Sequence, residues 1–541
     1  MVNTCLPFDL HVLNNHTRNK LLKRYQRWKE SRNLNIKTWQ STPWSKFYVT
    51  SNWPMQVKFV NATNATSLLP AQLAAYLSNP SVYSYIDFAI APISPITRDQ
   101  AHALLSSGIF EMSSSSPKAM VFCVPEPAKE RFRLVQDHLS TNIFAQSPDP
   151  LTFTPMTTVL SQLFNYEHAI SFDFSQFFHQ FPLNEEVRDF FSFDTVIGTM
   201  RPLRMPMGAK FSMNIAQHVS LAVANQSTEA GILVDVYADN ILFAGNYLQL
   251  QRIRHRFLQT CNKYLITIGD STEITDIITH RGILINLTNK TAQIAHKMKT
   301  KLTQRISWIT RQTTTWGQFR SLLSSIVYVS YALSLHKASW FNLFEVAARE
   351  ARKNTHEDKF LKLAIPTFAL LMRAIYCVCH ATTEQTITFA ASTVFTDASS
   401  ERYGYIIIWP NGMLTQFGSR FNEFERQYHI NEKEIIAVER VFQHHSFRSQ
   451  MVHLYTDNTA VQAIINRTWS RSFFLNRRCD ALLNIIDAQK AILEVHRITS
   501  VANPADPISR GVEISDDGPQ LLSALRAQGW LEEEKKRDLT N

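Results

Sequence analysis

The residues of this chain best suited to chemistry are carboxylates at the ends of apolar strands, and they fall into two sets. The first is Asp173, in Ala-Ile-Ser-Phe-Asp-Phe, with Asp239, in Val-Tyr-Ala-Asp-Asn-Ile-Leu-Phe. The second is Asp397 in Thr-Val-Phe-Thr-Asp-Ala-Ser, Glu434 in Asn-Glu-Lys-Glu-Ile-Ile-Ala, Asp457 in Leu-Tyr-Thr-Asp-Asn and Asp506 in Asn-Pro-Ala-Asp-Pro-Ile-Ser-Arg. Gathered carboxylates repel unless a cation lies among them. The pattern therefore predicts two separate Mg2+ sites, two ions in each, with Mn2+ as the alternative ion. Mg2+ beside a phosphate substrate means phosphoryl transfer, here of two kinds.

These acids must be positioned by α/β elements. Asp239 falls at the tip of a hairpin, with strands predicted over Ile232–Tyr237 and Ile241–Ala244 around the turn Ala238-Asp239-Asn240. An acidic hairpin tip alone is a weak signal, because Asp and Asn are ordinary turn residues. Around the second set, strands are predicted at Thr393–Thr396, Tyr405–Trp409 and Met413–Phe417, with Asn411-Gly412 read as a type I′ turn. A helix Asn431–His444, a strand Val452–Thr456, helices Thr459–Asn466 and 473–488, and a strand Ile492–Ile498 follow. Short strands and helices alternate from about 100 to 290. Residues 291–380 read as helical on an apolar face of Trp308, Trp316, Phe319, Leu322, Leu323 and Val327, and His380–Gln385 reads as a polar linker. The basic stretch Thr17–Asn33, with Leu21, Leu22, Tyr25 and Trp28 at helical spacing, is either a helix laid on a nucleic-acid backbone or a solvated surface helix. No internal repeat is present.

A chain of 541 residues exceeds one core and predicts three or four domains. Its 45% hydrophobic and 18% charged residues describe a globular protein, and the net charge of +10 fits a polyanionic partner. Six cysteines in this length make no disulfide framework. Cys377, Cys379 and His380 lack a second ligand pair at zinc spacing, so they read as helix or linker residues in a reducing compartment. No run approaches the ~18 apolar residues of a membrane span, and Met1–His16 lacks a signal-peptide layout. The expectation is a soluble intracellular protein, cytoplasmic or nuclear and not secreted. The Asn-x-Thr triplets are then chance.

The stretch from Gly108 to about Thr291 resembles the reverse transcriptase domain of retrotransposons and retroviruses. Arg131-Phe-Arg-Leu-Val-Gln-Asp resembles the strand that contacts the triphosphate, which implies Arg133 on the incoming nucleotide. Phe172-Asp-Phe-Ser-Gln-Phe-Phe-His-Gln-Phe-Pro-Leu183 resembles the first catalytic motif, with Asp173 as metal ligand and Phe178 as the aromatic gate against a ribose 2′-hydroxyl. Leu203-Arg-Met-Pro-Met-Gly-Ala-Lys-Phe-Ser-Met213, continuing to Gln217, resembles the loop and helix that position template and nucleotide, which implies Met207, Gly208 and Gln217 at the substrate. Tyr237-Ala-Asp-Asn240 stands where the family has Tyr-x-Asp-Asp, so the resemblance implies Tyr237 at the substrate, Asp239 on the metal and Asn240 beside it. His280-Arg-Gly-Ile-Leu-Ile resembles the primer-grip hairpin, and Trp316-Gly-Gln-Phe begins what resembles the thumb. Asn240 is the departure: an amide accepts a bond from a metal-bound water but brings no charge.

Asp397, Glu434, Asp457 and Asp506 are similar in order and placement to the four acidic ligands of the ribonuclease H family. His496, ten residues before Asp506, falls near where retroviral domains carry a mobile catalytic His, although a plain strand position explains it equally. The resemblance spans about 100–515 and implies an α+β multidomain chain: an N-terminal extension at 1–95, fingers and palm at 96–290, a helical thumb or connection at 291–387, an α/β ribonuclease H unit at 388–515 and a tail at 516–541. It further implies an RNA-directed DNA polymerase with ribonuclease H activity. The implied partners are an RNA template, a DNA primer, an RNA–DNA hybrid and dNTPs, with no membrane. No aspartic protease motif, zinc finger or integrase triad accompanies it. The rival expectations are a polymerase disabled by Asn240 with the hybrid nuclease retained, and a non-enzymatic nucleic-acid-binding protein.

Overall fold

The computed structural model describes residues 54–55, 57, 59–83, 93–126, 130–306, 309–335, 337–353, 359–384, 391–448, 450–470, 472–515 and 518–529. The basic helix expected at 17–33, Trp308, and the charged run at 532–538 lie outside them. The chain divides into two compact units. One runs to Arg281 and takes in Ile285–Thr288; the other holds Gly282–Leu284 and everything from Asn289. The helices expected as a separate connection at 291–387 thus cluster with the C-terminal sheet.

The first unit is organised on an antiparallel sheet ordered Leu233–Tyr237, Asn240–Gly245, His168–Phe174, Ile268–Ser271. The central strands carry apolar residues on both faces, as burial between other elements requires. Phe172, Phe243 and Phe257 meet beneath it, with centroids 4.4 Å (Phe172–Phe257) and 5.5 Å (Phe243–Phe257) apart. Phe257 comes from the helix Tyr247–Lys263, whose buried Leu250, Ile253, Phe257 and Cys261 recur at helical spacing behind a capping box of Asn246 and Gln249. Truncating such a ring to Ala costs about 3–5 kcal/mol. The helix Ser212–Ser227 joins the same core through Ile215, Val219 and Val223. A separate two-stranded ribbon, Met120–Glu126 with Arg131–Asp137, buries Phe132, Leu134 and Gln136, so alternation turns Arg133 to the open face.

The second unit begins with the strand Thr291–Ile294 and the helices His296–Ile306, Trp316–Ala332, Phe341–Arg352 and Ile365–His380. The linker expected at His380–Gln385 is corrected: Thr382–Glu384 is a strand, antiparallel to Thr291–Ile294. Its polar side chains conceal it in the sequence, because a short strand needs main-chain pairing more than apolar content. The C-terminal sheet is ordered Leu414–Arg420, Arg402–Ile408, Ala391–Ala398, Met451–Thr456, Ile492–Arg497, the first three antiparallel and the last two parallel to the central strand. Each predicted element there lies within a few residues of its observed bounds.

The Asn411-Gly412 turn is a second correction. Only Gly412, at φ +82°, has positive φ, whereas a type I′ turn needs two such residues. Trp409 instead accepts from the Gly412 N–H and donates to the Met413 carbonyl, 2.8 and 2.9 Å. Pro410 has no N–H with which to close the tighter pair, so the loop lengthens by one residue.

Candidate active sites

Asp173 and Asp239 are brought together by strand register. Asp173 lies opposite Asn240 across the His168–Phe174 and Asn240–Gly245 pair, and Phe174 donates its N–H to the Asp239 carbonyl at 3.1 Å. The Asn240 amide donates to Asp173 Oδ1 at 3.1 Å, so the neutral residue beside Asp239 is a hydrogen-bond donor to the other carboxylate. Desolvation raises the Asp239 carboxyl above its ordinary value, opposed by its own main chain, by Asn240 and by the charge of Arg133. Arg133 is exposed and donates to Met207 Sδ at 3.3 Å. Arg133 thus touches Met207 and lies near enough for its charge to act on Asp239.

The loop carrying Met207 is held by close backbone approach. A Cβ on Gly208, at φ +98°, would meet the Gln136 carbonyl at 2.9 Å, so glycine alone fits. Asn142 completes the clamp, donating to the Gly208 carbonyl and accepting from the Lys210 N–H, both at 2.8 Å.

Gln217 is buried, and its amide engages the hairpin: Nε2 donates to the Val236 carbonyl at 2.9 Å, and Oε1 accepts from the Ala238 N–H at 2.7 Å. Ala238 holds φ +56°, a conformation costing a non-glycine residue about 1–2 kcal/mol, so the clamp fixes the turn that carries Asp239. Phe178 is half-buried against the unit's core. Tyr237 is 40% exposed, its ring 4.8 Å from Phe153 and 4.9 Å from the Arg281 guanidinium.

Two supports were not anticipated from the sequence. Gln180 is fully buried, donating to the Ser175 and Thr267 carbonyls and accepting from the Thr267 N–H, which fixes the turn after Asp173. Asp235 is buried with His280 Nε2 at 2.6 Å and Arg281 at 2.7 Å. A lone Asp within the apolar Leu233–Tyr237 strand was the available signal for it. His179 is half-buried with its Nε2 out of water, and desolvation followed by the Arg204 charge lowers it to about 4.

The second set is crowded. Asp397 ends the strand Ala391–Ala398, Glu434 lies on the helix Ile430–His444 and Asp457 follows the strand Met451–Thr456. One oxygen from each lies within 4.8 Å of the others. Glu434 is 4% exposed, and burial, then the charges of Asp397 and Asp457, push its carboxyl up to about 9. Its Oε2 is buried without a hydrogen-bond partner. Burial likewise raises Asp397, opposed by the hydrogen bond from Ser509 and reinforced by Asp457 and Asp506. Asp457 accepts from Ser500. Asp506 is not in that trio: it stands on the short helix Ala505–Ser509, close enough for its charge to act on Asp397, and pairs with Arg510 at 2.7 Å. Gly404 makes that helix possible, since a Cβ there would meet the Ser509 nitrogen at 2.5 Å. His496 lies in the strand Ile492–Arg497, stacked on Tyr455 at 4.9 Å and apart from the carboxylate trio. Two buried carboxyls and a half-buried third, one orphaned oxygen and hard oxygen donors throughout fit a divalent cation of the Mg2+ class.

Among the described residues no helix is long and apolar enough to cross a membrane. No protein-family model matches the chain. Over 151 residues, 27% of its length, it is 28% identical to the retrovirus-related Pol polyprotein from transposon 412 of Drosophila melanogaster, a stretch spanning 12% of that relative. Among solved structures it is similar to a foamy viral protease–reverse transcriptase with double-stranded DNA, at 15% identity and TM-score 0.49, covering 90% of this chain and 79% of that one. The same viral enzyme with an RNA/DNA hybrid gives 13% identity and TM-score 0.49, covering 93% and 63%. The sequence similarity, over 27% of this chain, is to a retrotransposon Pol polyprotein.

Proposed function

We propose that this chain is an RNA-directed DNA polymerase with ribonuclease H activity, copying retroelement RNA into DNA and degrading the RNA of the hybrid. The observation that supports the reading is the pair of separate acidic sites, Asp173 with Asp239 at neighbouring strand ends and the converging trio of Asp397, Glu434 and Asp457. Asp173 and Asp239 would hold Mg2+ in the first; Asp397, Glu434, Asp457 and, at the rim, Asp506 would hold it in the second. When bound, the ions would make the attacking oxygen more acidic and neutralise charge on the leaving oxygen.

The chain's own residues supply position. Arg133 offers a cation to the triphosphate of a dNTP, and Met207 with the main chain at Gly208 forms the wall beside it. Phe178, half-buried, is the ring that would crowd a ribose 2′-hydroxyl. Gln217 is a positioning residue, acting through the turn that presents Asp239. In the second site Glu434 holds a proton at neutral pH in the metal-free pocket, and that proton must leave before a cation is bound. Template, primer and hybrid would be held by salt-sensitive phosphate contacts, and the hybrid told from duplex DNA by its 2′-hydroxyls and groove shape.

The test is a DNA primer on an end-labelled RNA template with dNTPs and Mg2+, reading primer extension and template shortening together. Both are expected; loss of both on an intact, folded chain would overturn the reading. A second reading keeps only the nuclease, and the hydrogen bond from Asn240 to Asp173 favours it, because that bond occupies an oxygen a cation would need. Shortening without extension would establish it.

A further inference from the structure

The second unit holds another cluster of ligand atoms, on the two parallel strands Met451–Thr456 and Ile492–Arg497. Register pairs His453 with Glu494 and Tyr455 with His496, so these side chains share one face of the sheet. His453 Nδ1 lies 3.2 Å from His496 Nε2 and 3.4 Å from Glu494 Oε2, and His496 Nε2 lies 3.8 Å from the same oxygen. The three atoms form one compact triangle, separate from the oxygen-only trio of Asp397, Glu434 and Asp457.

We propose that His453, Glu494 and His496 bind a transition-metal cation of the Zn2+ class. Two imidazoles and a carboxylate are a ligand set for that class, whereas Mg2+ and Ca2+ take oxygen donors. The size of the triangle agrees. Bonds of about 2.0–2.1 Å in tetrahedral geometry separate neighbouring donors by roughly 3.3–3.4 Å, and octahedral geometry by only about 2.9 Å. The observed 3.2, 3.4 and 3.8 Å edges match a tetrahedral face with little adjustment. The fourth position opens to solvent, since His453, His496 and Glu494 are 32, 39 and 50% exposed.

The rings are already aimed. Two imidazole nitrogens facing at 3.2 Å share a proton, one donating to the other. A cation takes that proton's place, the donor ring exchanging it through solvent for one on its other nitrogen, so that both rings stay neutral and both facing nitrogens become ligands. His496 is fixed by its stack on Tyr455, at 4.9 Å and 22°. Its distinctive chemistry is thus ligation beside His453, and the ion ties two neighbouring strands into one clip.

The probe is Co2+, added to the full-length chain after chelator treatment and read by its visible absorption. The expected result is the intense spectrum of tetrahedral Co2+, bleached by Zn2+ and indifferent to excess Mg2+. His453→Gln and His496→Gln should abolish it. Glu494→Gln, at a half-exposed position that folding tolerates, should weaken binding at least about tenfold. Asp457→Asn should leave the spectrum intact. Zn2+ at a hundredfold excess over its dissociation constant should raise the midpoint of thermal unfolding by roughly 5–10 °C, and His453→Gln should remove that rise. A weak octahedral spectrum, a tetrahedral one that survives His453→Gln, or one lost in Asp457→Asn would overturn the proposal.

Discussion

The two acidic sites solve the same electrostatic problem in opposite ways. In the second unit three carboxyls converge, two of them buried, and the cost appears as a Glu434 carboxyl pushed up to about 9 and an oxygen with no partner. In the first unit the neighbour of the two carboxyls is Asn240, whose amide donates to Asp173 and helps hold Asp239 down. One site is under strain until a cation enters; the other is partly relaxed by a neutral donor. The difference teaches that cation demand is set by how many charges are crowded and how dry they are, and one amide lowers it.

Substitutions of the ligands should show the largest effects. Asp457→Asn is expected to lower hybrid cleavage by about 10³-fold or more, and Asp239→Asn to do the same to primer extension. Rates within about tenfold of wild type would remove those residues from the reaction.

Stability should respond to pH with opposite slopes in the two units. His179 is held near 4 in the fold and titrates near 6.5 unfolded. The unfolded chain therefore binds the extra proton between those values, and the first unit loses stability as pH falls from about 6.5 to 4, by about 3 kcal/mol in all. Glu434 is the reverse case: the folded chain keeps a proton that the unfolded chain has lost, so the metal-free second unit loses stability as pH rises from about 4.5 towards 9. Denaturant titrations with a probe in each unit would check this. Glu434→Gln should flatten the second slope, and saturating Mg2+ should abolish it. A second unit that gains stability with rising pH in chelator would contradict the crowding argument.

A smaller effect is expected from the hairpin clamp. Gln217→Ala leaves the Ala238 N–H unpaired beside a strained turn, which costs about 1–3 kcal/mol and should slow extension about 10–100-fold, with hybrid cleavage unchanged. Asn240→Asp restores the crowding in the first site and should lower the Mg2+ concentration for half-maximal extension by about tenfold, near 1.4 kcal/mol. An unchanged Mg2+ requirement would show that this position does not sense the ion.

The C-terminal sheet was legible because alternation, an Asn-Gly turn and helix-length apolar runs all pointed the same way, and the four acids sat at element ends. The turn type was misread because Pro410, one residue earlier, withholds the N–H that the tighter turn needs. The strand Thr382–Glu384 was missed because main-chain pairing leaves no mark in side-chain composition. Gln217, Gln180 and Asp235 illustrate a deeper limit. A polar residue is buried only when distant main chain or a distant ion satisfies it, and that partner lies far along the sequence, as Gln180 and Thr267 do. Motif resemblance brought Gln217 into view, but only geometry shows which hairpin groups it holds.

The most direct test crosses the two sites in one assay. Wild type, Asp239→Asn and Asp457→Asn are each given the same primed RNA template, dNTPs and Mg2+, and extension and template cleavage are read from the same lane. The account predicts both products for wild type, cleavage alone for Asp239→Asn and extension alone for Asp457→Asn. Loss of both activities in either folded variant, or extension that survives Asp239→Asn, would contradict two independent cation sites on this chain.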